Sequence, residues 1–128
     1  MAQRPSKNNI RRLMETCVIY ESKKDNCWIA HSLRTDQIGT GDDPLEALAD
    51  LLVAVDQLLE LAQEESDIEV FRPAPKYIQN MARRAMRLPK EIYEIAHRKA
   101  RGDWPLDISL NLPKRRRFVT ELTEPIHA

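Results

Sequence analysis

Eleven cations in the second half of the chain are the residues best placed to carry a chemistry of their own. Arg83, Arg84, Arg87, Lys90, Arg98, Lys99 and Arg101 fall in two successive helical patterns, and Lys114, Arg115, Arg116 and Arg117 form one compact run. Guanidinium and ammonium groups at this density pair with phosphates by simple electrostatics, with an affinity that falls steeply with salt. Arg84 and Arg87 stand three apart, as do Arg98 and Arg101, a spacing that sets each pair on one helix face. Together they make a candidate nucleic-acid-binding set. Two plainer uses fit the same residues: a solvated face, or a surface that docks the acidic first half of a second copy.

No catalytic set stands beside them. The histidines, His31, His97 and His127, are scattered over a strand pattern, a helix pattern and the tail, and none belongs to a recognisable metal-ligand set. Two cysteines, Cys17 and Cys27, are too few for a disulfide framework, and neither has the electropositive sequence neighbourhood that a reactive thiol needs. There is no glycine-rich phosphate loop. The expectation is a protein that is not an enzyme, with no catalytic residue, no metal and no cofactor.

These residues must be positioned by elements, and one stretch organises the rest. Gly41-Asp42-Asp43-Pro44-Leu45-Glu46-Ala47-Leu48 reads as the start of a long helix. Asp43 suits the N-cap, since its carboxylate can accept from the free N–H groups of the first turn. Pro44 fits the first helical position, and Glu46 lies at capping-box distance from Asp43. The helix is expected to run to about Glu65, with Leu45, Leu48, Leu52, Val55, Leu59 and Ala62 as its apolar stripe. Leu51, Ala54, Leu58 and Leu61 widen that stripe beyond what one sheet covers, so a second surface should pack on it, from the C-terminal part or from another chain.

Upstream, Thr16–Tyr20 and Cys27–Leu33 are strand-forming runs around Ser22-Lys23-Lys24-Asp25-Asn26, which is turn chemistry. With Lys24 and Asp25 as the loop, Tyr20 faces Ile29, Val18 faces His31, and Cys17 points away from the face of Cys27. Gln37–Gly41 is expected to add a third strand, with Gly39 and Gly41 suiting a bend before the cap. Downstream, Ile68–Phe71 reads as a short edge strand, Lys76–Arg87 and Lys90–Arg101 as helices, and Ile108–Leu112 as a late half-buried strand.

The length of 128 residues fits one domain with an extension. Residues 1–12 read as a flexible basic arm, 13–71 as a β-β-β-α domain, and 72–128 as a helical basic C-terminal extension. The fold class expected is α+β, a small antiparallel sheet packed against one long helix. Hydrophobic content is 42% but aromatic content only 5%, so aliphatic side chains must fill the core. No apolar run is long enough to span a membrane, and the basic N-terminus lacks the apolar stretch of a secretory signal. A cytoplasmic protein without a membrane partner is expected. The formal net charge of zero hides a split: residues 1–66 carry 7 Lys and Arg against 12 Asp and Glu, and residues 67–128 carry 13 against 8. Halves of opposite sign suggest two tasks, or copies that attract each other.

From about Thr16 to Gln63 the chain resembles the HicB-like family, small domains of a β-hairpin, a strand and a helix, many of them antitoxins. The resemblance rests on Val18-Ile19-Tyr20-Glu21, Lys23-Lys24-Asp25-Asn26, Trp28-Ile29-Ala30 and Gly41-Asp42-Asp43-Pro44-Leu45-Glu46-Ala47-Leu48, which stand in the family's order. Two features depart from it: Arg34-Thr35-Asp36-Gln37 replaces a Pro-Gly-Cys-like bend, and Asp43 replaces the usual threonine cap. The resemblance implies a homo-oligomeric interaction protein whose acidic first half covers a small basic toxin. HicB-like antitoxins often end in a ribbon-helix-helix or helix-turn-helix module, and Leu88–Ile92 and Ser109–Lys114 each look like the opening of a ribbon-helix-helix. The alternatives are a nucleic-acid-binding transcriptional regulator using the basic helices, and an orphan HicB-like protein with a structural role.

Overall fold

The computed structural model describes residues 15–65, 67–103 and 117–122. Strands β1 (Glu15–Ser22) and β2 (Cys27–Ser32) form an antiparallel hairpin in the expected register, with Tyr20 opposite Ile29 and Val18 opposite His31. The Ser22 hydroxyl donates to Asp25 Oδ2 at 2.9 Å, and Asn26 takes a φ of +52°, a left-handed conformation that asparagine tolerates. Cys17 falls opposite Ser32 and Cys27 opposite Ser22, so the two lie on different sheet faces, and they are not bridged.

The Arg34–Gln37 bend carries the chain to β3 (Ile38–Gly41) on the far side of β2. Its polar groups serve one another. Ser32 and Thr35 share a buried hydroxyl contact at 2.6 Å, and the Gln37 N–H donates to Ser32 Oγ at 2.9 Å. His31 Nε2 lies 2.6 Å from Asp36 Oδ1, with Asp36 at a φ of +54°.

Helix α1 (Pro44–Glu64) starts at the Asp43 cap, whose Oδ1 accepts from the Glu46 N–H at 2.8 Å. Glu46 returns a bond to the Asp42 N–H at 3.0 Å, one residue earlier than in a standard capping box. Its other oxygen accepts from Lys99 Nζ at 3.3 Å. The Asp42 N–H, with Lys99 behind it, holds the Glu46 carboxyl below the usual range against a desolvation that pushes it up. The cap thus ties the start of α1 to a late helix.

Gly39 and Gly41 are required for a reason other than a bend. A Cβ on Gly39 would press on the Leu51 amide nitrogen and lie 2.5 Å from the Ala47 carbonyl oxygen. One on Gly41 would lie 2.5 Å from Glu46 Cβ. The backbone of α1 rests on the backbone of β3, which only glycine permits. Asp50 on α1 also reaches over this edge strand and accepts from the Thr40 N–H at 2.9 Å, covering a donor that would otherwise invite another strand.

Beyond α1 come α2 (Lys76–Arg83), β4 (Met86–Arg87), α3 (Lys90–Ala100) and β5 (Arg117–Leu122). Among the described residues the sheet has five strands in the order β3-β2-β1-β5-β4, antiparallel except for the β4–β5 pair. The fold is α+β, and both faces of the sheet are covered. On one face Cys17, Ile19, Ala30 and Phe118 share a buried cluster with α1 and with Ile92, Tyr93 and Ala96 of α3. On the other, Val18 is buried with Ala74 and with Ile78 of α2. A second surface on the broad α1 stripe is α3, from the same chain, and it reaches only part of that breadth: Leu51 is fully buried, Ala54 and Leu58 are half-buried, and Leu61 is exposed.

Several elements differ from expectation. Ile68–Phe71 is not a strand. Instead the segment that follows it clips to the end of β2, the Arg72 N–H donating to the Arg34 carbonyl at 2.8 Å and the Ala74 N–H to that of Leu33 at 3.0 Å. The helix expected over Lys76–Arg87 stops at Arg83, because Met86 and Arg87 are drawn into pairing with β5 and the Leu88 N–H donates to the Val119 carbonyl at 2.8 Å. Strand β5 carries no strand signal in the sequence, yet it lies inside the sheet between β1 and β4. The segment beyond residue 71 therefore supplies two of the five strands. The arm over residues 1–12 and the strand expected over Ile108–Leu112 lie outside the described residues.

Candidate nucleic-acid interface

The structure sorts the eight described cations of the eleven into groups that the sequence could not separate. Arg98, Lys99 and Arg101 belong to the last turn of α3 and its cap, on the α1 side of the sheet. All three are engaged with carboxylates: Lys99 with Glu46 at 3.3 Å, and Arg98 and Arg101 with Asp103 at 3.7 and 4.0 Å. The pairing of Arg98 with Arg101 on a helix face holds only in part, since α3 ends at Ala100 and Gly102 turns the chain with a φ of +79°.

Arg83, Arg84 and Arg117 are different. Arg83 ends α2, Arg84 caps it, and Arg117 opens β5. The three line one groove of about 580 Å³ together with Tyr77, Asn80 and Met81. All three arginines are exposed, and none has an ion pair among the described residues. Among the described residues no carboxylate lines the groove.

The local sequence explains this convergence. Tyr20 stands opposite Arg117 in the register, and Val18 opposite Val119, so Arg117 rises from the face on which α2 lies. Helix α2 buries Ile78 against that face, which leaves its C-terminal end beside β5. Arg83 and Arg84 complement the negative end of the α2 dipole, a role that one cation fills and that does not account for Arg117.

Arg87 stands in β4 opposite Val119, exposed and outside the groove lining, and the end of α2 at Arg83 separates it from Arg84. Lys90 is exposed at the start of α3. Lys114, Arg115 and Arg116 lie outside the described residues.

Tyr77 falls within the helical pattern over Lys76–Arg87, and the structure turns it outward: it is 66% exposed. The signal was present. Ile78, Met81, Ala82 and Ala85 already define the inner face, and a residue one step from Ile78 is rotated by roughly 100° from it. Beneath Tyr77 the Tyr20 phenol is pushed above its usual range, first by burial and then by Tyr77 itself.

Among the described residues the remaining polar groups do not assemble into a second site. His31 is buried in β2 against Asp36, and His97 is buried in α3 with its ring 6.2 Å from that of Tyr93. His127 lies outside the described residues. Among the described residues no group of three or more His, Cys, Asp and Glu could hold a metal ion, and no helix is long and apolar enough to cross a membrane. Comparison with known protein families, curated proteins and solved structures finds no match to this chain.

Proposed function

We propose that this chain is a non-enzymatic nucleic-acid-binding protein that holds a phosphodiester backbone in the groove between α2 and β5. The observation that carries this reading is the convergence of Arg83, Arg84 and Arg117, from two elements, on one groove with no carboxylate among its described lining residues. Three like charges set together repel each other, and nothing described in the fold neutralises them. Phosphate oxygens do so, and guanidinium forks match their geometry.

Three phosphate contacts to a single strand predict a slope near −2 in log K against log salt, or about a twentyfold loss of affinity between roughly 50 and 200 mM. Fluorescence anisotropy with a labelled oligonucleotide measures both quantities. Replacing Arg83, Arg84 and Arg117 together by alanine should weaken binding at least about tenfold at low salt and flatten the slope. All three side chains are exposed, so the variant should fold. A triple variant that binds as the parent does removes the proposal.

A second reading keeps the HicB-like resemblance, and two observations favour it. The elements β1, β2, β3 and α1 follow in the order the resemblance implies. Between Arg34 and Arg72 there is no lysine or arginine and there are 11 Asp and Glu, several of them on the outer side of α1. Such a surface suits a basic protein partner, through fast, steered association. On this reading, co-expression with a basic ribonuclease toxin rescues growth, and failure by a folded protein counts against it.

A further inference from the structure

We propose that the groove selects single-stranded over duplex nucleic acid, with Tyr77 as the platform on which a base stacks. This rests on the reading of the groove as a phosphate-binding site. Tyr77 is the one aromatic among the described residues that line it, and two-thirds of its surface is open to solvent. Most of the Tyr77 ring faces solvent, while the same helix buries Ile78 one residue later. An open aromatic face beside guanidinium groups is the arrangement by which single strands are held: the cations follow the backbone and the ring takes a base, whatever its sequence.

The shape excludes the usual duplex mode. A protein reads a duplex by inserting a protruding helix or a two-stranded ribbon into the major groove. Helix α2 does not protrude. It has eight residues, lies on the sheet with Ile78 fully buried, and forms one wall of a concave site with β5 as the other. A paired base offers Tyr77 only its edge, because its faces are stacked on its neighbours. An unpaired base offers a face. Asn80, also exposed on this wall, can donate to or accept from that base or its phosphate.

The test compares four proteins against three probes by anisotropy: the full chain, Tyr77→Ala, Tyr77→Phe, and the triple alanine variant of Arg83, Arg84 and Arg117. The probes are a mixed-sequence RNA strand, the DNA strand of the same sequence, and the DNA duplex. The parent should bind both strands more tightly than the duplex. Tyr77→Ala should lose about tenfold on the strands, the scale of one stacked base, and be unchanged on the duplex. Tyr77→Phe keeps the ring and should bind as the parent.

Equal loss on strand and duplex, or no loss in Tyr77→Ala while the arginine variant fails to bind, overturns the stacking inference and leaves the groove standing. Binding by the parent that the arginine variant retains in full overturns the groove and the inference with it. So does a parent that binds none of the probes. A Tyr77→Phe variant as weak as Tyr77→Ala assigns the contact to the phenol hydroxyl and overturns the stacking role. Preference between the two strands separates a ribose contact from the shared chemistry.

Discussion

Phe118→Ala is expected to lower the unfolding free energy by about 3–5 kcal/mol. Phe118 is fully buried and the largest of the fully buried side chains. It stands opposite Ile19 in β1 and opposite Met86 in β4, so it sits where the first and last strands of the chain meet. Its ring centroid lies 6.2 Å from that of Trp28 at an interplanar angle of 36°. With only seven aromatic residues among the two Trp, three Tyr and two Phe of the chain, few side chains could fill the space it would leave. A domain of this size has roughly 5–15 kcal/mol in total, so the variant should be close to unfolding. Urea denaturation should show a large drop in midpoint with an unchanged slope. A loss under about 1 kcal/mol would mean that β5 does not occupy the sheet beside β1.

Gly39→Ala should cost about 3 kcal/mol, the upper end of what overpacking usually does. The sign is informative in itself. In an ordinary strand, alanine in place of glycine is stabilising by about 0.5–1 kcal/mol, because the unfolded chain loses freedom. Here the new methyl meets the Leu51 amide nitrogen, the Leu51 Cα and the Ala47 carbonyl oxygen, all backbone atoms of α1 that cannot rotate away. The helix must lift from β3. Gly102 provides the internal comparison: a Cβ there meets nothing within 4 Å, and alanine would cost only the strain of its φ of +79°, about 1–2 kcal/mol. Thermal denaturation of both variants should rank Gly39→Ala well below Gly102→Ala. A neutral or stabilising Gly39→Ala would place α1 farther from the sheet than described.

The first half of this fold is legible because its signals are local. The β1–β2 register follows from which residues make the turn, and the start of α1 follows from Asp43, Pro44 and Glu46 acting within one turn. The breadth of the α1 stripe is also legible as a demand for a second covering surface, and α3 meets it in part, leaving Leu61 exposed. What was hidden depends on long-range pairing. Phe118-Val119-Thr120-Glu121-Leu122 alternates only weakly, because β5 lies between two strands and is judged by its neighbours, not by its own pattern. The same pairing pulls Met86 and Arg87 out of a sequence that otherwise continues a helix.

The candidate site shows the same division. Charge density marks eleven residues equally. Only the fold places Asp103 and Glu46 against the cations of α3 and brings Arg117 to the end of α2. Arg83 and Arg117 are 34 positions apart in the chain, and no spacing rule joins them. Tyr77 could have been found by asking which residue of the α2 pattern falls off its inner face.

The most direct measurement on the groove is amide chemical-shift mapping of the isotope-labelled chain titrated with a short oligonucleotide. The largest shifts should fall on Tyr77, Asn80, Arg83, Arg84 and Arg117 through Val119, and fade as salt is raised. Shifts concentrated along Lys90–Arg101, with the groove residues unmoved, would assign the nucleic acid to the opposite side of the sheet and contradict the account.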